Sequence, residues 1–433
     1  MRARRPRVPL MVAAVVLSVA ALAGCGGPPR SIGPRFTVDL LHSGVSDPVI
    51  LSVVGLQPGG DAVLSATAHT ASGVWSAKAV YAVPPNGVID LWKAKPLLAP
   101  YAAADPAALL WSMSGPSLSQ SALEQTWAGG DVDIRLAAQQ DGREVASQVV
   151  HRTGYRSASS TRDIFARDLL SGTDREEDIG GTVFDRRIGT YVAPDPPTEQ
   201  SRPAVIVIDG DDGGASGAFV AGQLAANGFP AFVLPSFGPT GQIPGSSALS
   251  VESFDTARTW LAEQTEVDAS RIFVWGSWRA APLALWFAAA EPYAVYGAIA
   301  ASGPTALLCT ASGGASPLTS DGDPVPCESQ VRTIADTPSL RLDRIPGPVV
   351  LACGTKDEIL SNACDWMTAG EQARGVRADD QFLRAVGSGH TISTPPIVPV
   401  GLSDLAPTLA QATERARSAF WVAALSALQG AVE

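Results

Sequence analysis

The chain has 433 residues, 46% hydrophobic and 17% charged, which is enough for two domains with full cores. A formal net charge of −11, with no basic stripe able to neutralise phosphates, argues against a nucleic-acid partner. There is no Cys-x-x-Cys and no Cys/His cluster at metal-ligand spacing, so no metal or other cofactor is expected.

Arg2, Arg4, Arg5 and Arg7 precede an apolar stretch at 10–23 that is too short and wrongly flanked for a spanning helix. This is a secretory signal over residues 1–24. Its end, Leu22-Ala23-Gly24-Cys25, resembles a bacterial lipobox, which implies cleavage before Cys25 and a lipid on that thiol. The expected location is therefore the outer face of a bacterial membrane, with the membrane as a partner. Residues 25–35, with Pro28, Pro29 and Pro34, read as the tether. Four cysteines remain. An even number in an exported chain suggests two disulfides, and the short-range pairing Cys309–Cys327 and Cys353–Cys364 is favoured among three connectivities.

From 36 to 150 the hydrophobic period is two. Leu64, Ala66 and Ala68 alternate with polar neighbours, as do Trp75, Ala77, Ala79, Tyr81 and Val83. Asn86-Gly87 is a hairpin turn before Val88. Val132, Ile134 and Leu136 follow, and Asp141-Gly142 turns the chain into Val145, Ser147 and Val149. Short strands separated by turns imply an antiparallel, Ig-like β-sandwich. His42 and His69 read as surface or half-buried residues, not ligands.

Residues 151–179 are polar and read as a connection. From 180 to 433 strands alternate with helices. Apolar strands are predicted at 204–208, 231–234, 272–275, 297–301, 349–352 and 382–386. Helices are predicted at 219–226 (stopped by Asn227-Gly228), 251–264, 281–290 and 405–428. Fully apolar strands between helices mean a doubly wound, mostly parallel sheet, with its active site at the strands' C-terminal ends.

Gly276-Ser277-Trp278-Arg279-Ala280 lies between one such strand and the helix that begins at Ala281, with Pro282 in its first turn. Strand, sharp turn and helix form the setting of the Gly-x-Ser-x-Gly nucleophile elbow of α/β-hydrolases. Here Trp278 stands at the nucleophile position. Ser277 is the candidate replacement, but Trp275 and Arg279 occupy the places two before and two after it, where the elbow needs small residues. Ser302, after the next strand, reads as a turn cap. His390 follows a predicted strand in Gly387-Ser388-Gly389-His390, where a general base belongs. Asp357 follows another, in chain order for the acid that orients it, with Glu358 as the neighbouring alternative. Gly210, Gly213 and Gly214 follow the 204–208 strand as a candidate oxyanion loop. That loop lacks a phosphate-binding pattern.

The chain resembles the acyl-CoA thioesterases and bile acid-CoA:amino acid N-acyltransferases. Gly73-Val74-Trp75-Ser76-Ala77, Val88-Ile89-Asp90-Leu91 and above all Asp105-Pro106-Ala107-Ala108-Leu109-Leu110-Trp111-Ser112-Met113 are similar to their N-terminal region. The elbow, Gly354 to Asp357 and Gly389-His390 followed by Pro395-Pro396 resemble their catalytic domain. The resemblance implies that Asp357 and His390 are the acid and base of a Ser/Cys–His–Asp triad, acting on an acyl-bearing small molecule or lipid. The departure is Trp278, because indole is neither nucleophilic nor acidic, and it implies a weakly active or inactive enzyme. Acyl-CoA is cytosolic, so an exported protein needs another acyl ligand.

Overall fold

A computed structural model describes residues 33–169, 187–209, 215–235, 248–310, 314–329, 331–403 and 405–432. The predicted signal, Cys25, the tether up to residue 32 and the candidate oxyanion glycines Gly210, Gly213 and Gly214 lie outside the described residues. Pro34–Glu433 forms one compact unit.

The first part holds strands β1 (Arg35–Val38), β2 (His42–Gly44), β3 (Leu51–Val54), β4 (Asp61–Thr70), β5 (Gly73–Ala82), β6 (Ile89–Asp90), β7 (Val132–Gln140) and β8 (Arg143–Thr153). Two short helices, α1 (Ala108–Trp111) and α2 (Gln120–Ala128), lie between β6 and β7. One sheet runs β2-β8-β7-β4-β5 and the other β1-β3-β6. The alternating residues of β4, β5 and β7 point inward and share a core with Leu51, Val53 and Ile89 of the second sheet. Asp141 and Gly142, both at positive φ, make the tight β7–β8 turn. A register shift at Ala138/Gln139 decides what β8 buries. Ala146 and Val150 face the core, whereas Val149 is 37% exposed.

Asn86-Gly87 does turn the chain, with Gly87 at φ +68, but not into a hairpin. β5 and β6 belong to different sheets, and β6 pairs with β3. The local turn signal was sound. The strand's partner, 36 to 38 residues away in sequence, is set by the core and not by the turn.

The second part adds β9 (Ser159–Phe165), β10 (Arg187–Pro194), β11 (Arg202–Asp209), α3 (Ala215–Ala226), β12 (Ala231–Pro235), β13 (Leu249–Ser250), α4 (Val251–Ala262), β14 (Val267–Ser277), α5 (Ala281–Ala290) and β15 (Gly297–Ala301). It closes with β16 (Leu318–Ser320), β17 (Asp323–Pro324), β18 (Val349–Gly354), α6 (Ala363–Arg374), β19 (Gln381–Ala385) and α7 (Pro407–Gly430). The large sheet runs β19-β18-β15-β14-β11-β12-β10-β9. It is parallel from β19 to β12, and β10 is antiparallel to both of its neighbours. The expected connection at 151–179 needs correction, because β9 inside it is the sheet's edge strand. Four consecutive exposed residues of β9 hid it from a reading based on apolar runs.

The two faces of this sheet explain why its inner strands carry apolar runs. Ile206 of β11 and Ile272 and Val274 of β14 enter a core with α4, α5 and α6. Their neighbours Val205, Val207, Phe273 and Trp275 enter the opposite core with α3 and α7. The first part's core continues into Phe219 of α3 and into Ile397, Val398, Val400 and Leu402. Both expected disulfides form, Cys309–Cys327 and Cys353–Cys364, each with a Cα–Cα distance of 5.1 Å.

Candidate active site

β14 ends at Ser277, a single 3₁₀ turn spans Trp278–Ala280, and α5 follows at once with Pro282 in its first turn. Trp278 has φ +51. A bulky residue avoids that region unless its surroundings impose it, at a cost of about 1–3 kcal/mol. The cause is visible in Gly276. A Cβ there would lie 2.3 Å from the Ala280 carbonyl oxygen, so strand and helix meet too closely for any other residue. Ala280 is itself buried. The chain therefore has the elbow's backbone, with indole at the apex.

Two loops at the C-terminal edge of the sheet bring the acid and base together. Asp357 lies just past β18 and His390 just past β19. His390 Nδ1 lies 2.9 and 2.8 Å from the two Asp357 carboxylate oxygens. This contact with a carboxylate makes Nδ1 the protonated nitrogen and leaves the lone pair on Nε2. Asp357 Oδ1 also accepts the Ile359 and Leu360 amides at 3.0 and 2.7 Å, which fixes the carboxylate's orientation. Both residues are buried. Glu358, the alternative acid, instead accepts the backbone amide of His390 at 3.1 Å. The loops approach so closely that a Cβ on Gly354 would lie 2.3 Å from the Gly389 carbonyl. The Cys353–Cys364 disulfide encloses the acid loop.

Trp278 stands against this pair. Its ring centroid is 5.7 Å from that of His390, with the planes at 89°. The Arg279 guanidinium covers the indole at 4.3 Å, a cation–π arrangement. Ser277 is not joined to His390 by a hydrogen bond. It lines a cavity of about 60 Å³ with Asp209, Ser216, Ser393 and Thr394, and with Trp275, which is two residues earlier on the same strand. Ser302, expected to cap a turn, sits at φ +52 and donates to the His390 carbonyl at 2.8 Å, so it supports the base's loop.

A further support was not read from the sequence. One face of α7 holds the loop that follows His390. Thr413 Oγ1 accepts the Gly389 amide at 2.9 Å, and Glu414 accepts the Ile397 amide at 2.6 Å. Arg417 donates to the Thr391 carbonyl at 2.8 Å, and Trp421 donates to that of Ser393 at 3.1 Å. Burial pushes the Glu414 carboxyl up to about 8, against the pull of Arg417, and pushes Arg417 down to about 10. The only hint was two charged residues at core spacing in an otherwise amphipathic helix. The same helix holds the stretch just before the 105–113 string. Asp105 accepts the Ala107 amide and the Trp111 indole N–H, while Gln411 accepts the Ala102 and Ala103 amides. Burial raises the Asp105 carboxyl.

Residues 46–163 match the family model described as the acyl-CoA thioester hydrolase/BAAT N-terminal region. The chain carries that region where the Trp75 and Asp105 strings resembled it. No curated protein matches the chain. Similar solved structures include an esterase from the archaeon Pyrobaculum calidifontis, 17% identical, TM-score 0.37, covering 62% of this chain and 86% of that one. A dienelactone hydrolase-like promiscuous phosphotriesterase from metagenomic libraries is 18% identical, TM-score 0.37, over 62% and 98%. A Mycobacterium tuberculosis puromycin-hydrolysing peptidase is 14% identical, TM-score 0.41, over 89% and 66%. The family match covers residues 46–163, and the second part adds a mostly parallel sheet with helices on both faces.

Proposed function

We propose that this chain is an exported, lipid-anchored protein in which an acyl-transfer frame is disabled at its nucleophile and serves as a binding module at the membrane surface. The observation that carries the reading is Trp278 at φ +51, its indole 5.7 Å from a His390 already paired with Asp357. An indole N–H donates but does not attack a carbonyl, and a ring there occupies the space in which an acyl carbon would react. The basic signal, the lipobox-like ending at Cys25 and the two disulfides support export and anchoring. The first part reads as an Ig-like sandwich on the same hydrolase frame. The ligand class is an acyl-bearing small molecule or lipid of the cell envelope, without nucleic acid, metal or cofactor.

The test is hydrolysis of short- and medium-chain acyl esters by wild type, Trp278→Ser and Ser277→Ala. Serine at the elbow apex would meet His390 Nε2, which would take its proton while Asp357 stabilises the imidazolium. The expected result is negligible turnover by wild type and a gain of at least ~100-fold in Trp278→Ser, the scale of a positioned general base. Wild-type turnover abolished in Ser277→Ala would overturn the proposal in favour of a displaced serine nucleophile.

A further inference from the structure

The chain contains only four lysines, and three of them lie in the first part, Lys78 on β5 and Lys93 and Lys95 in the segment after β6. The segment after β6 reads Trp92-Lys93-Ala94-Lys95-Pro96-Leu97-Leu98. Trp92 is 60% exposed, Leu97 62% and Leu98 72%. This exposure is built in. The Trp92 amide donates to Asp90 Oδ1, and the Lys93 and Ala94 amides donate to the Asp90 carbonyl. At the far end Leu97 donates to the Val80 carbonyl, and Val80 donates to that of Leu98, both at 2.7 Å. Pro96 is buried between these ends. Leu98 is bridged antiparallel to Val80, so their side chains share a face. That is the outward face of β5, which also presents Lys78 and the 52% exposed Val74.

We infer that these residues form a docking surface for an anionic lipid bilayer. A rigidly presented Trp and two leucines suit the interfacial zone, where an indole buries its ring and keeps its N–H wet. Lysines beside them suit acidic headgroups, each worth about fivefold in partitioning. The charge is placed against the trend of the molecule, whose net charge is −11. Lys93 is 3.2 Å from Asp90, and Asp61 lies at the border opposite Ala82. Among the described residues Lys78 and Lys95 are in no ion pair. Reach is consistent. β1 and β6 flank β3, about 10 Å apart at ordinary strand spacing. Cys25 is ten residues before Arg35, about 35 Å at full extension. A bilayer holding a lipid on Cys25 is thus within range of Trp92. The inference uses the proposed anchoring only for this proximity and is independent of whether Trp278 silences the site.

The test uses residues 34–433, which contain every core and omit Cys25, so any membrane binding must come from the folded surface. Sedimentation with phosphatidylcholine vesicles is compared with vesicles containing phosphatidylglycerol. Binding is expected only with the anionic lipid, reduced at least ~10-fold in Trp92→Ala/Leu98→Ala and ~10-fold or more in Lys78→Gln/Lys95→Gln. Circular dichroism checks that these surface variants stay folded. No binding, equal binding to both vesicles, or equal binding by the variants overturns the proposal. So does concentration-dependent self-association that Trp92→Ala/Leu98→Ala abolishes, which would make a second copy of the chain the occupant.

Discussion

Two parts of one site meet different chemical standards. Asp357 and His390 have what an acid–base pair needs: burial, a doubly contacted Nδ1, and a carboxylate held by two backbone amides. The elbow apex has the required backbone and the wrong side chain. Trp278 bears the cost of positive φ without the nucleophile that usually goes with it. The elbow's strained turn has a cause in packing. It follows from driving a buried strand into a buried helix within three residues, with Gly276 under the Ala280 carbonyl and Pro282 starting α5. Indole is tolerated there because it finds partners, the His390 ring edge-on and the Arg279 guanidinium over its face.

The largest expected effect tests the sound half of the comparison. In a Trp278→Ser background, His390→Ala should lower kcat/KM for an acyl ester by about 10²–10⁴-fold, because the serine then has no base. A Trp278→Ser enzyme indifferent to His390 would mean that the pair is not aimed at the apex, and the two halves are not one site. The next effect concerns the elbow's backbone. Gly276→Ala should destabilise the chain by about 2–3 kcal/mol in denaturant unfolding, since its Cβ meets a carbonyl at 2.3 Å that the turn cannot move. The same loss in wild type and in Trp278→Ser would show that the turn's geometry is independent of what stands at its apex.

How far the sequence revealed this depends on what each residue was asked to signal. The inner strands β11, β12, β14, β15 and β18 were legible from their apolar cores, because burial on both faces makes these apolar runs. β9 was not, since an edge strand covered on one side carries Ser, Thr, Arg and Asp. β6 was seen, but its partner was misassigned, because a turn dipeptide reports a local bend and not a distant pairing. Asp357 and His390 were legible from chain order after their strands. The α7 contacts were not. Thr413, Glu414 and Arg417 look in sequence like ordinary positions of a helix, and only the packed loop at 389–397 gives them something to hold.

That support suggests the smallest effect, and the one that best separates the pair's own geometry from the helix behind it. Glu414 is buried and titrates near 8, whereas an unfolded chain's glutamate titrates near 4.5. Where the folded state holds this proton and the unfolded state has lost it, stability falls as pH rises. The stability associated with neutral Glu414 is thus fully present below pH ~4.5 and declines progressively until the folded pKa near 8 is passed. Glu414→Gln keeps an acceptor for the Ile397 amide and removes the titration. Arg417, 3.9 Å away, faces a neutral carboxyl below the folded pKa, so the variant removes no charged partner from it there. The net expectation is that the Tm of Glu414→Gln rises relative to wild type from pH 5 to pH 8 and that the difference levels off above it. Thermal unfolding followed from pH 5 to 9 reads this directly. A wild type that instead gains on the variant as pH rises would mean that Glu414 is ionised when folded, so that α7 braces the His390 loop with a charged pair and not a neutral carboxyl.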